Sequence, residues 1–217
     1  MEGIAWKDVF EFRAQLYAFL GNSLLAPMKL DTCAGLDPSF WEAFPLEAAN
    51  EQMADALAAL QAYAADASRD RESAVRVAAT EFTGLFLGPG APPAPPWESL
   101  YREGGSFLFG QPTFDMRKLL RSHGLALAED ARQLEDHIGA ELLYLATLSS
   151  QFAEAASAPS AEEVVEQRDF ITEHPLSFIG KLCSRADEHA PGGYYPSLIR
   201  LAWGVLLWDN DLLSEWE

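Results

Sequence analysis

Apolar residues recur at helical spacing through most of the chain. From Trp6 to Leu24 the positions Val9, Phe10, Phe12, Leu16, Tyr17, Phe19, Leu20 and Leu24 build one dense face, and Pro27 stops the pattern from continuing as helix. Residues 25–45 carry Pro27, Gly35, Pro38 and Pro45 among scattered aromatics, which predicts a loop with at most a short helical turn over 40–44. An Ala-rich stretch over 46–65, with Met53, Leu57 and Leu60 on one side, predicts a second helix. A third spans 72–87 through Val75, Ala78, Ala79, Phe82, Leu85 and Phe86, after the charged turn Ser68-Arg69-Asp70-Arg71.

The pattern breaks over 88–96, where Pro89, Pro92, Pro93, Pro95 and Pro96 hold the chain extended and semi-rigid. A short helix over 97–103 ends at Gly104-Gly105, and Pro112-Thr113 opens a helix over 114–122 that His123-Gly124 closes. After the polar run Glu129 to Gln133, a long helix is expected from Leu134 to Ala156. Ser160 and Glu163 form a capping box for a helix reaching Glu173, and Pro175 begins another that Pro191-Gly192-Gly193 breaks. Tyr194 to Trp208 makes the last helix. No run sustains period-two alternation, so the expected fold is all-α, a single domain over 1–217 built as a two-lobed helical bundle. Its lobes are expected over 1–88 and 97–217, joined by a Pro-rich hinge at 88–97.

Composition narrows the partners. The 217 residues include 49% hydrophobic ones, ample for a core, and 33 acidic side chains outnumber 15 Lys and Arg for a net charge of -18. Such a surface repels phosphate backbones and anionic membranes, which sets nucleic acid aside and favours basic partners. Cys33 and Cys183 lack paired spacing, which argues against a disulfide framework or a thiolate metal site and for a reducing cytoplasm. The start of the chain has no basic-then-apolar signal pattern, and the apolar stretch over 198–208 contains Arg200 and is shorter than the ~20 residues a membrane helix needs. No integral membrane association is expected.

Two constellations carry candidate chemistry. Asp136, His137 and Glu141 sit beside the apolar stripe Leu134, Ile138, Leu142 and Leu145, with His137 and Glu141 four apart on one helix face. This group could take up a metal, a proton or an arginine, or Asp136 could simply cap the helix and orient His137. A small helical metal-dependent enzyme or nucleotide hydrolase using Asp136, His137 and Glu141 is therefore one reading. No phosphate-cradling glycine loop and no nucleophile elbow supports catalysis, and no cofactor is implied. The second constellation is Phe82, Leu85, Phe86, Pro96, Trp97 and Tyr101, which could line an apolar groove between the lobes or close the core between them. An apolar groove edged by acids suits a peptide that is part basic and part apolar.

The ordered series Phe82 to Phe86, Gly88-Pro89, Pro95-Pro96-Trp97-Glu98-Ser99-Leu100-Tyr101, Leu108-Phe109-Gly110 and Glu135-Asp136-His137-Ile138-Gly139-Ala140-Glu141-Leu142 resembles the TorD/DmsD/NarJ-like family of redox enzyme maturation chaperones. Phe170 to Pro175 and Tyr194 through Trp208 resemble that family's closing helices. The resemblance implies a non-catalytic cytoplasmic chaperone that binds the twin-arginine signal peptide, or the immature catalytic subunit, of a molybdenum-cofactor oxidoreductase before export. It carries the peptide-binding pattern onto Phe82, Leu85, Phe86, Pro96 and Trp97 as groove lining, Gly110 as a close-approach backbone position, and Asp136 with His137 as the polar edge. Gln133 and Leu134 stand where relatives carry Glu-Pro, and Gly90 stands where some carry a second tryptophan. A monomer or a lobe-swapped dimer is compatible with the proline-rich connection.

Overall fold

The computed structural model describes residues 5–88, 90–102, 108–127 and 133–216. The expected breaks at Pro89 and Gly104-Gly105, and the polar run over 129–132, lie outside them. Among the described residues the chain is helical without strands: α1 (Trp6–Leu25), α2 (Pro38–Glu42), α3 (Glu51–Ala67), α4 (Arg71–Phe82), α5 (Gln111–Ser122), α6 (Ile138–Glu154), α7 (Ala161–Glu173), α8 (Pro175–His189) and α9 (Tyr194–Ser214). None of these helices is long and apolar enough to cross a membrane.

Local chemistry sets the boundaries. Asn50 caps α3 by accepting from the Met53 amide, so that helix starts five residues later than its apolar pattern. Ser160 and Glu163 form the expected capping box of α7. Past Phe82 the helix loosens into a π turn over Thr83–Leu87, which lets Leu85 and Phe86 both turn inward while Gly84 faces open space.

The chain divides into two compact units that interleave in sequence. One comprises residues 1–25, 97–178 and 210–217; the other comprises 26–96 and 179–209. The contiguous lobes expected from the sequence are thereby replaced, although one boundary, between Pro96 and Trp97, falls inside the proline-rich segment. The reason is close packing of the first helix on α6. A Cβ on Gly21 would come 2.9 Å from the Gly139 carbonyl oxygen, and one on Gly139 would come 2.8 Å from the Gly21 carbonyl oxygen. Two backbones approach that closely only where neither residue carries a side chain. Phe10 of α1 then packs on Phe152 and Trp216, with ring centroids 5.3 Å away in each case.

The second unit is organised around the start of α9. Glu81 accepts from the Tyr195 amide at 2.7 Å, placing its carboxyl against the helix start, while burial raises its pKa. The Asn50 amide donates to the Gly204 carbonyl at 2.8 Å, where α3 meets α9. Phe82 and Phe86 pack edge to face 4.9 Å apart, and Tyr195 meets both rings.

Candidate functional site

The chemistry-bearing residues of the first unit converge where the turn Glu98–Leu100 meets the entry to α6. Trp97 and His137 form an isolated antiparallel bridge, and the Glu98 amide donates to the Asp136 carbonyl at 2.9 Å. The Asp136 carboxylate accepts from the Ser99 amide and the Thr113 hydroxyl, each at 2.9 Å. One buried acid thus ties together the turn, the first turn of α5 and the approach to α6. Gly110, the N-cap of α5, packs so closely that a Cβ there would lie 3.1 Å from the Ser99 Cβ.

His137, not Asp136, caps α6: its Nδ1 accepts from the Gly139 amide at 3.0 Å. An accepting Nδ1 assigns the ring proton to Nε2. Burial lowers the imidazole pKa to about 3, so the ring stays neutral at physiological pH, set edge-on to Trp97. It is neither a cation nor a proton shuttle there.

Glu141 lies one turn into α6, fully buried, with no described group donating to either carboxylate oxygen. Burial first, then the nearby Glu98 and Asp136 charges, raise its pKa well above 4.5. Burial among these acids thus favours its neutral, protonated form. Glu98, itself fully buried, also receives Arg102 Nε at 2.6 Å and lies 2.9 Å from His174 Nδ1. Arg102 additionally reaches the Glu173 carbonyl.

These positions correct the sequence reading. Asp136, His137 and Glu141 are not a polar rim, because all three are buried and the first two are committed to backbone groups. The set among the described residues able to offer metal ligands is instead Glu98, Glu141 and His174, whose donor atoms lie within 4.8 Å of one another. Arg102 already compensates the Glu98 carboxylate, and burial favours a Glu141 that carries no charge, which weakens the case for a divalent ion. Phe82, Leu85, Phe86 and Pro96 are buried in one unit, while Tyr101 is buried against Phe178 in the other. Of the residues read as peptide-binding, Trp97 and Gly110 keep partial exposure.

A groove of about 570 Å³ lies elsewhere in the first unit, among α5, α6 and α7. Its floor includes Tyr144, Leu148, Phe152 and Phe170, and Tyr144 packs on Phe170 with ring centroids 4.7 Å apart. The Tyr144 hydroxyl lies 3.3 Å from His123 Nδ1, and Phe170 stacks on His174 at 5.0 Å. Glu163, Glu166, Asp169 and Glu173 of α7 line the groove, while no Lys or Arg among the described residues does. The sequence reading missed this groove and the partners Glu98, Arg102 and Thr113. Glu98 and Arg102 had a signal in their four-residue spacing; the groove had none, since three helices distant in sequence form it.

An all-helical chain whose buried polar junction is bound to its own backbone, beside an acidic groove with an aromatic floor, has the character of a protein that binds other chains. The chain belongs to the nitrate reductase delta subunit family, whose sequence profile matches residues 46–184. It is 28% identical to a chaperone protein TorD of Vibrio cholerae over 212 residues, covering 96% of this chain and 95% of that one. It is 31% identical to the TorD chaperone of Vibrio vulnificus over 66% of this chain and 67% of that one. A Tat proofreading chaperone DmsD of Salmonella paratyphi A is 40% identical over 54% of this chain and 53% of its own. A protein of Archaeoglobus fulgidus solved as a candidate redox enzyme maturation factor overlays 99% of this chain and 97% of its own with a TM-score of 0.46 at 16% identity. The protein belongs with these chaperones rather than with catalysts.

Proposed function

We propose that this chaperone binds, in the cytoplasm, the twin-arginine signal peptide of a molybdenum-cofactor oxidoreductase catalytic subunit, and holds that precursor back from export until its cofactor is inserted. The observation that carries the reading is the relationship to chaperones named TorD along nearly the whole chain, joined by relatives named for Tat proofreading. The charge of -18 supports it, because a segment with two guanidinium groups gains attraction from an acidic surface.

In this proposal the buried residues first read as peptide contacts act at one remove. Asp136, His137 and Glu141 hold the junction of the first unit, and Phe82, Leu85, Phe86 and Pro96 hold the core of the second. Trp97 and Gly110 remain candidates for direct contact. Calorimetric titration of the full chain with twin-arginine signal peptides tests the reading. Saturable binding that weakens when both arginines become lysine is expected, since lysine cannot reproduce the bidentate pairing of guanidinium with carboxylate. A folded protein that binds none of the peptides refutes it.

A further inference from the structure

The groove among α5, α6 and α7 has a volume of about 570 Å³, and neither the family match nor the relatives' names assign it a role. Its chemistry is two-sided. On one side the α7 residues Glu166 and Asp169 are exposed, and neither forms an ion pair among the described residues. Beneath them Tyr144, Leu148 and Phe170 offer a mostly apolar floor.

Gln167 adds an independent observation. It lies between those two acids in sequence, lines the same groove and is 2% exposed. Its Oε1 accepts from Arg13 at 3.0 Å, yet its Nε2 has no partner among the described groups. A buried amide donor without an acceptor is costly, so the wall beneath those two acids holds an unmet hydrogen-bonding demand.

Resting on the signal-peptide reading above, we propose that this groove seats the arginine-bearing part of the client segment. Glu166 and Asp169 take the guanidinium groups, and the aromatic floor receives the neighbouring apolar side chain. The occupant follows from charge and shape together. A purely apolar helix would leave both acids uncompensated, a free metal cation would not use the aromatic floor, and nucleic acid would be repelled. Glu163 contributes less, because its carboxylate is already committed to the Ser160 amide and hydroxyl.

The test uses the full chain and a fluorescein-labelled peptide in which two consecutive arginines precede an apolar run, followed by anisotropy at several salt concentrations. Glu166→Lys with Asp169→Lys should weaken binding by about tenfold or more at low salt and flatten its salt dependence. The matched reversal Glu47→Lys with Asp55→Lys, both exposed in the other unit, should leave affinity close to wild type. Circular dichroism checks that both variants fold. Unchanged affinity in the groove variant while wild type binds overturns the groove alone, as does equal weakening in both variants, which would reduce the effect to net charge. Absence of binding by wild type overturns the signal-peptide reading and this assignment with it.

Discussion

At the scale of single residues, the polar junction of the first unit is held by groups whose protonation the fold dictates. Asp136 serves two donors, so Asp136→Ala leaves the Ser99 amide and the Thr113 hydroxyl buried without their acceptor. A loss of about 3 kcal/mol in urea unfolding is expected, on the order of 1–3 kcal/mol per orphaned group. His137 gives a pH signature. Its folded pKa of about 3 lies below the unfolded 6.5, so the unfolded chain gains a proton first as pH falls, and stability declines from 6.5 toward 3. His137→Asn keeps a capping acceptor and removes that titration. The variant should escape about 2 kcal/mol of the loss wild type suffers between pH 7 and pH 5, read from urea midpoints at both. Glu141 works in the opposite sense. Its raised pKa gives stability that is complete below 4.5 and fades as pH rises toward the folded value, so Glu141→Gln should raise the urea midpoint at pH 7 relative to wild type. A lower midpoint at pH 7 would mean the carboxyl is ionised in the fold. Which of Asp136, His137 and Glu141 caps, which bridges and which loses its charge was not readable from their spacing alone, because burial and the partners Gly139, Ser99, Thr113 and Glu98 decide it.

At the scale of elements, the helices follow from patterns that act within a few residues. The apolar face of α1, the capping box of α7 and the proline starts of α2 and α8 are local facts, and all appear where local chemistry puts them. The ends of α6 and α9 differ from expectation because a distant partner intervenes. α6 begins at Ile138 rather than Leu134 because the preceding segment pairs with Trp97 and Glu98 instead of coiling. α9 runs to Ser214, beyond the expected end at Trp208, because Leu213 finds a buried place. The close pass of α1 and α6 supplies a sharp test. Gly→Ala within a helix ordinarily gains about 1 kcal/mol, but at Gly139 the new methyl would meet the Gly21 carbonyl oxygen and the Leu25 Cγ, each at 2.8 Å. Gly139→Ala should instead lose about 2 kcal/mol or more in urea unfolding. Gly84→Ala, whose Cβ meets nothing within 4 Å, should be neutral or slightly stabilising.

At the scale of the whole molecule, interleaving decides which pieces can fold. The first unit needs α1 from one end of the chain and α5 to α7 from the middle, while the second needs 26–96 together with parts of α8 and α9. Fragments 1–96 and 97–217 should each lack cooperative unfolding alone, and should regain helical circular dichroism and a cooperative urea transition when coexpressed. Cooperative folding of 97–217 by itself would show that α1 is dispensable to its unit. A lobe-swapped dimer through the segment before Trp97 would exchange parts of both units at once. The sequence by itself determined the helical class, the punctuation of the helices, the acidic character and the family, because periodicity, caps, composition and ordered motifs are properties of neighbouring residues or of sums over the chain. Only the tertiary structure decided that Asp136 and His137 are internal fastenings, that Glu141 is buried near Glu98, that the units interleave, and that an acidic groove forms from α5, α6 and α7. Each of those depends on side chains distant in sequence excluding water from one another, and burial of that kind has no local pattern to announce it.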